Sequence, residues 1–286
     1  MSAAVGRGRL AAALTFALVS SGPTLADPTT SVEAPGCAVP TVLSSIAAPL
    51  DRTASGIQAG GPMTIVAMGS SSTLGIGATT AAMSYPSRLE QELKDRFPNV
   101  EIRVINHGVG GQDVPEEVSR LERDVIAEHP DLVIWQVGTN AVLRRDDLST
   151  DEQLIVRGVA LIKQHGIDVV LMDLQYAPRV LARPASVEME RLLAEIARHA
   201  QVGLFRRFEM MREWDHTGQL APAAMIGADG LHMTDASYRC LADQLAEALA
   251  RNWRSHGKLA KSPDRNRDAI ARIERSAVTK STTSAW

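Results

Sequence analysis

Aromatic side chains are scarce in this chain: Phe, Trp and Tyr make up 4% of its 286 residues. Stacking on bases or sugar rings is therefore not a dominant theme. Charge of one sign is not in excess either. The formal net charge is −3, and no basic stripe interleaves with aromatics, which argues against a nucleic-acid partner. Cysteine occurs only at Cys37 and Cys240, in no metal-type spacing, and no His-Glu-x-x-His pattern is present. The Gly-Lys-Ser/Thr ending of a phosphate loop is missing, and no Gly-x-Gly-x-x-Gly follows the first apolar strand, so nucleotide binding is a poor fit. What remains, 45% hydrophobic and 22% charged, is the composition of a globular chain with one good-sized core.

The first 26 residues read as a signal peptide. Arg7 and Arg9 form a positive start, Leu10 to Val19 an apolar stretch, and Thr24-Leu25-Ala26 a small-residue cleavage site before Asp27. The apolar stretch is shorter than the roughly 20 residues of a membrane helix, so cleavage and export to a periplasmic or secreted location are expected, with no stable membrane insertion afterwards. Export permits a Cys37–Cys240 disulfide; a pair of buried thiols is an equal alternative. Residues 27–62 form a Pro/Gly/Ala-rich lead-in, with one helix-capable piece from Val42 to Ala48 ahead of Pro49. A folded domain is expected over 63–251. Beyond it, 252–286 reads as a charged tail, with a mixed-charge helix possible from Asp264 to Ser276.

Strand and helix patterns alternate through the domain. Apolar runs at Met63–Met68, Glu101–Ile105, Asp131–Val137, Asp168–Asp173 and Val202–Phe205 read as strands. Helices are predicted from Ser84 to Phe97, Pro115 to Glu128, Asp151 to His165, Val187 to His199, and from an N-cap at Thr234 through Arg251. The stretch from Phe205 to Asp229 reads as irregular. Alternation of this kind implies βαβ units: an α/β/α three-layer sandwich around a five-stranded parallel sheet. The right-handed crossover rule then brings the loops after the strands to one edge. That edge collects Gly69–Gly75, Asn106–Gly111, Gly138–Asn140 and Asp229–His232.

Each of these segments has a chemical reading. Ser70, Ser71 and Ser72 place three hydroxyls where the first strand stops and the backbone turns. Three glycines within Gly108–Gly111 let backbone N–H groups approach a ligand. Asp229 and His232 are spaced so that the carboxylate can orient the imidazole. Taken together, Gly69-Ser-Ser-Ser-Thr-Leu-Gly75, Asn106-x-Gly-x-x-Gly111, Gly138-Thr-Asn140 and Asp229-x-x-His232 resemble the four blocks of the SGNH (GDSL-type) serine hydrolases. The resemblance covers about Met63 to Arg251. It implies a flavodoxin-like fold and a carboxylic ester hydrolase that uses no metal or cofactor. It also implies Ser71 as nucleophile, Asp229 and His232 as acid and base, and an oxyanion hole from Ser71, Gly111 and Asn140.

The chain departs from the family pattern twice. Ser70 replaces the aspartate before the nucleophile, and Ala141 the aspartate that often follows the third-block asparagine. Thr73 rules out a Gly-x-Ser-x-Gly elbow. The implied partner is a small acyl ester or an acylated glycan, with acetyl the suggested group; no oligomeric state is specified. A lipid-directed esterase, lysophospholipase or thioesterase, an idle glycan-binding domain, and acyl transfer to an alcohol are the rival readings. Met210, Met211, Trp214, Met225 and Met233 offer either an acyl pocket or ordinary core packing. Arg179 and Arg183 offer either an anion contact or solvated charge. His107 and Asp113 offer either extra acid–base groups or solvated loop residues; Trp135 and Gln136 read as core or strand-end packing, and Asn106 as a tie between loops.

Overall fold

The computed structural model of the protein describes residues 36–144 and 148–257, and the statements below concern those residues. The expected signal peptide, the first part of the lead-in, and the predicted helix from Asp264 to Ser276 lie outside them.

Five strands form one sheet: β1 (Met63–Gly69), β2 (Ile102–Gly108), β3 (Leu132–Gln136), β4 (Asp168–Met172) and β5 (Gly203–Phe205). Their order is β2-β1-β3-β4-β5 and every pairing is parallel. This is the α/β/α architecture expected from the alternating pattern. All of β3, and all of β1 except Thr64, is buried, which is why both read as nearly unbroken apolar runs. The chain steps from β1 outward to β2 and then returns to β3 on the other side of β1. Such a reversal opens a crevice at the carboxyl ends of the two central strands. Gly69 pairs with Gly108, and Met68 with Trp135, so three loops leave the sheet at one level around that crevice.

Helices cover both faces. On one, α12 (Asp235–Gly257) packs against α1 (Asp51–Ala59) and α3 (Tyr85–Arg96). On the other, α7 (Leu148–Gln164) packs against α4 (Val114–Ser119) and α9 (Ala185–Ala200). The remaining helices are short or peripheral: α2 (Ser71–Leu74), α5 (Leu121–Asp124), α6 (Thr139–Arg144), α8 (Pro178–Leu181), α10 (Arg207–His216) and α11 (Pro222–Met225).

Four expectations need correction. Val42–Ala48 is not helical; the helix begins at Asp51 instead. Asn252 holds the end of this segment: its amide donates to the carbonyls of Ile46 and Ala48, both at 2.9 Å, and accepts from Leu50 N at 3.1 Å. A distant side chain thus satisfies backbone groups that a helix ending at Ala48 would leave unpaired. Second, the single helix expected from Pro115 to Glu128 is broken at Arg120 into α4, α5 and a 3-10 turn. Third, α12 passes Arg251 and runs to Gly257, because Asn252 and Trp253 are buried rather than part of a tail. The Trp253 indole donates to Thr53 Oγ1 at 2.7 Å and its ring lies 5.6 Å from that of Phe97. Fourth, the stretch read as irregular after β5 contains α10 and α11.

Cys37 and Cys240 are joined in a disulfide, with their Cα atoms 5.0 Å apart. This resolves the two alternatives left open by the sequence. The indole of Trp214 donates to the Cys37 carbonyl at 3.1 Å, so the lead-in is fastened to α10 as well as to α12. Met210, Met211, Trp214, Met225 and Met233 are all buried in the core and do not line an open pocket.

Under the sheet's other face, the Trp135 indole donates to Glu117 Oε2 at 2.8 Å. Burial pushes the Glu117 carboxyl up to about 8; the Trp135 hydrogen bond and the Arg120 charge offset only part of it. The folded state therefore holds a proton that the unfolded chain releases near 4.5. Stability from this group is full below the unfolded value and is lost as pH rises through about 8. Glu117→Gln keeps the acceptor and removes the titration. Urea denaturation at several pH values should show the variant gaining on the wild type as pH climbs from about 5 to 8. A gap that stays constant over that range would contradict the assignment.

Candidate active site

Ser71 is the first residue of α2, directly beyond β1. Of the three consecutive serines, Ser70 and Ser72 are buried and Ser71 is half-buried. Ser70 N and Ser70 Oγ both donate to Gln136 Oε1 at 3.2 Å, and Thr73 Oγ1 donates to the same oxygen at 3.2 Å. Thr73 Oγ1 also lies 3.2 Å from the Tyr85 hydroxyl. The turn that expects an aspartate in the SGNH pattern is thus held by a glutamine arriving from β3. Sequence reading placed Gln136 in strand packing; its position inside an apolar run hid this role.

His232 Nε2 lies 2.9 Å from Ser71 Oγ, and His232 Nδ1 lies 2.5 Å from Asp229 Oδ2. The carboxylate fixes the proton on Nδ1 and leaves Nε2 to accept from the serine. The other Asp229 oxygen accepts from the N–H groups of Leu231 at 2.9 Å and His232 at 3.0 Å. Partial burial pushes this carboxyl up, but the His232 side-chain hydrogen bond and the two backbone N–H bonds outweigh it and hold it at about 2. Asp229 is therefore ionised at all pH values above that point. Gln175 ties the loop to the sheet, accepting from Thr139 Oγ1 at 2.9 Å and donating to the Leu231 carbonyl at 3.5 Å.

The second and third segments close on the same place. Gly108 must be glycine: a Cβ there would sit 2.1 Å from the backbone nitrogen of Leu74. That contact presses the end of β2 against α2. Asn106 acts as the expected tie, donating to the Leu74 carbonyl at 3.5 Å and accepting from Gly108 N at 2.9 Å. Gly111 has φ of 80°, in the left-handed region, and its carbonyl accepts from Arg144 at 2.5 Å. Asn140 Nδ2 donates to the Gln112 carbonyl at 2.6 Å. An amide nitrogen carries two hydrogens, so a second donor remains.

Other residues singled out from the sequence fall outside this centre. His107 pairs with Glu128 at 3.1 Å. Asp113 is buried as the N-cap of α4 rather than solvated, in a reciprocal capping box with Glu116, and Arg144 lies 2.6 Å from it. Arg179 N donates to the Gly230 carbonyl at 3.0 Å, so α8 braces the Asp229–His232 loop through its backbone. Arg183 follows α8 and its amide donates to Val180 O at 2.9 Å. Among the described residues, no three His, Cys, Asp or Glu side chains gather closely enough to hold a metal ion.

A family model described as the non-GDSL lipase-like family matches residues 36–255. An arylesterase of Vibrio mimicus is 25% identical over 169 residues, which is 59% of this chain and 80% of that protein. An acetylxylan esterase of Geobacillus stearothermophilus is 44% identical over 52 residues, 18% of this chain and 24% of that one. Among solved structures, a two-domain esterase active on acetylated mannans superposes with a TM-score of 0.61 at 22% identity. The match covers 74% of this chain and 57% of that one, and at this identity the likeness is one of fold. With most of its length matched, the chain belongs to the non-GDSL lipase-like family and is an esterase of the SGNH type.

Proposed function

We propose that the protein is an exported serine esterase that cleaves O-acyl esters through an acyl-enzyme on Ser71. One observation carries the reading: His232 stands between Ser71 at 2.9 Å and Asp229 at 2.5 Å, each on a different ring nitrogen. His232 Nε2 takes the hydroxyl proton as Ser71 Oγ bonds to the ester carbonyl carbon. Asp229, ionised, stabilises the imidazolium. The carbonyl oxygen becomes an oxyanion facing the N–H groups of Ser71 and Gly111 and the free N–H of Asn140. Collapse breaks the ester C–O bond, and His232 returns its proton to the leaving alcohol. Water then attacks the acyl-enzyme by the same route and releases the carboxylic acid.

The substrate we infer is an acetyl ester on a glycan. Support comes from the acetylxylan esterase among its relatives and the acetyl-mannan-active esterase among its structural neighbours. Export is supported by the leader pattern before Asp27 and by the Cys37–Cys240 disulfide. A second reading, a lipid-directed esterase, rests on an apolar rim beside the nucleophile. Leu74, Ile76 and Val109 are 44%, 44% and 38% exposed. Ile76 N and Val109 N bond to the carbonyls of Ser71 and Gly69, so all three flank the turn. A p-nitrophenyl ester series from acetate to laurate decides between the two. We expect kcat/KM to peak at acetate or butyrate; a peak at octanoate or beyond selects the lipid-directed enzyme instead.

A further inference from the structure

We propose that Arg120 is the positioning residue of the oxyanion hole, an inference that rests on the serine-esterase reading. Its buried guanidinium gathers acceptors from the two segments that supply Ser71 N and Gly111 N, and reaches the third through Gln112. Nη2 donates to the Gly69 carbonyl at 2.9 Å, two residues before Ser71. Nη1 donates to the His107 carbonyl at 2.8 Å, at the end of β2. Nε donates to Gln112 Oε1 at 2.6 Å, beside Gly111. The Gln112 carbonyl in turn accepts from Asn140 at 2.6 Å. The placement of Ser71 N, Gly111 N and Asn140 Nδ2 thus traces back to one cation.

The break between α4 and α5 is what makes this possible. In an unbroken helix with Val118, Leu121 and Val125 facing inward, position 120 would lie off the buried stripe. With φ of −114° at Arg120 the helix stops, and the side chain runs under the carboxyl ends of β1 and β2. Its charge is compensated by Asp124, 2.9 Å away. The hydrogen bond from Arg123, opposed by partial burial and aided by Arg120, holds that carboxyl at about 2, so the pair remains ionic. Burying a charge costs free energy even when it is paired, and a planar fork with several donors can join acceptors that a lysine ammonium cannot span. The guanidinium is buried behind the site and acts through Gly69 and Gln112.

The test uses the full-length protein with Arg120→Met, Arg120→Lys and Asn140→Ala. Three quantities are read: kcat per active site titrated with a fluorophosphonate, KM for p-nitrophenyl acetate, and the pH profile of kcat/KM. Since misplacing reacting groups by about 1 Å can cost 10²-fold, we expect kcat per labelled site to fall about 10- to 100-fold in both Arg120 variants. KM and the position of the acid limb should stay put. Adding Arg120→Met to Asn140→Ala should cost somewhat less than its effect alone, because the part carried by Asn140 is already lost while the part carried by Ser71 N and Gly111 N remains. If the Arg120 variants lose labelled sites and thermal stability while kcat per labelled site stays at the wild-type value, the residue is merely structural and the proposal is overturned. Should Arg120→Met not fold, Arg120→Lys and Gln112→Ala carry the test, and wild-type kcat per site in both would overturn it. Wild-type protein that neither labels nor turns over would overturn the esterase reading itself.

Discussion

Ser71→Ala is expected to lower kcat for p-nitrophenyl acetate by on the order of 10⁶-fold, the loss typical when a triad serine is removed. The size follows from the chemistry: without Oγ there is no acyl-enzyme, and water alone has to attack a carbonyl polarised by the remaining donors. The expectation is specific to this hydroxyl. Ser72 is buried, and Ser70 spends its hydroxyl on Gln136 at 3.2 Å. Neither is the serine that faces His232. Intact-mass detection of a fluorophosphonate adduct should therefore find one label on wild type and on Ser72→Ala, and none on Ser71→Ala. An adduct that persists in Ser71→Ala would move the nucleophile elsewhere. Because Asp229 is held at about 2, its own titration should not shape the profile above that pH.

Opening the Cys37–Cys240 bridge is expected to be the largest single loss of stability. The bonded residues are 203 apart in sequence. Loop-closure entropy for a ring of that size corresponds to about 5 kcal/mol of destabilisation of the unfolded chain, an upper figure when the unfolded ensemble is already compact. Denaturation of Cys37→Ser in urea should show a midpoint well below wild type and a steeper slope, since a chain without the cross-link exposes more surface. Turnover per labelled site should be unchanged in the folded variant. A stability loss under about 1 kcal/mol would mean that the unfolded chain keeps the two ends together without the bond.

Much of this molecule was legible beforehand, for identifiable reasons. Strands buried on both sides must be apolar on both sides, so Leu132 to Gln136 announced itself, and the parallel architecture followed. The glycines of the second segment were visible because their job is backbone geometry, which few other residues can do: Gly108 admits no Cβ against Leu74, and Gly111 sits at positive φ. Asp229 and His232 were near neighbours in sequence. The hidden parts depend on partners far away in the chain. Arg120 looked like one turn of a helix, and only the break in that helix turns it inward. Gln136 looked like the end of a strand. The segment that ends at Ala48 is tied down by Asn252, a residue more than 200 positions later. Whether two cysteines meet is likewise a question of folded distance, and here the answer was 5.0 Å between Cα atoms.

The covalent bridge also decides how this protein would bear load. A pull applied to residues before Cys37 and after α12 passes across the sulfur–sulfur bond and along the last turns of that helix. Everything from residue 38 to residue 239 hangs off this covalent path as a closed loop and is loaded only through the contacts that α12 makes with it. The sheet, Ser71, Gly111, Asn140, Asp229 and His232 all lie within it. A chain pulled at its two ends would yield first in the final helix, ahead of the reacting groups.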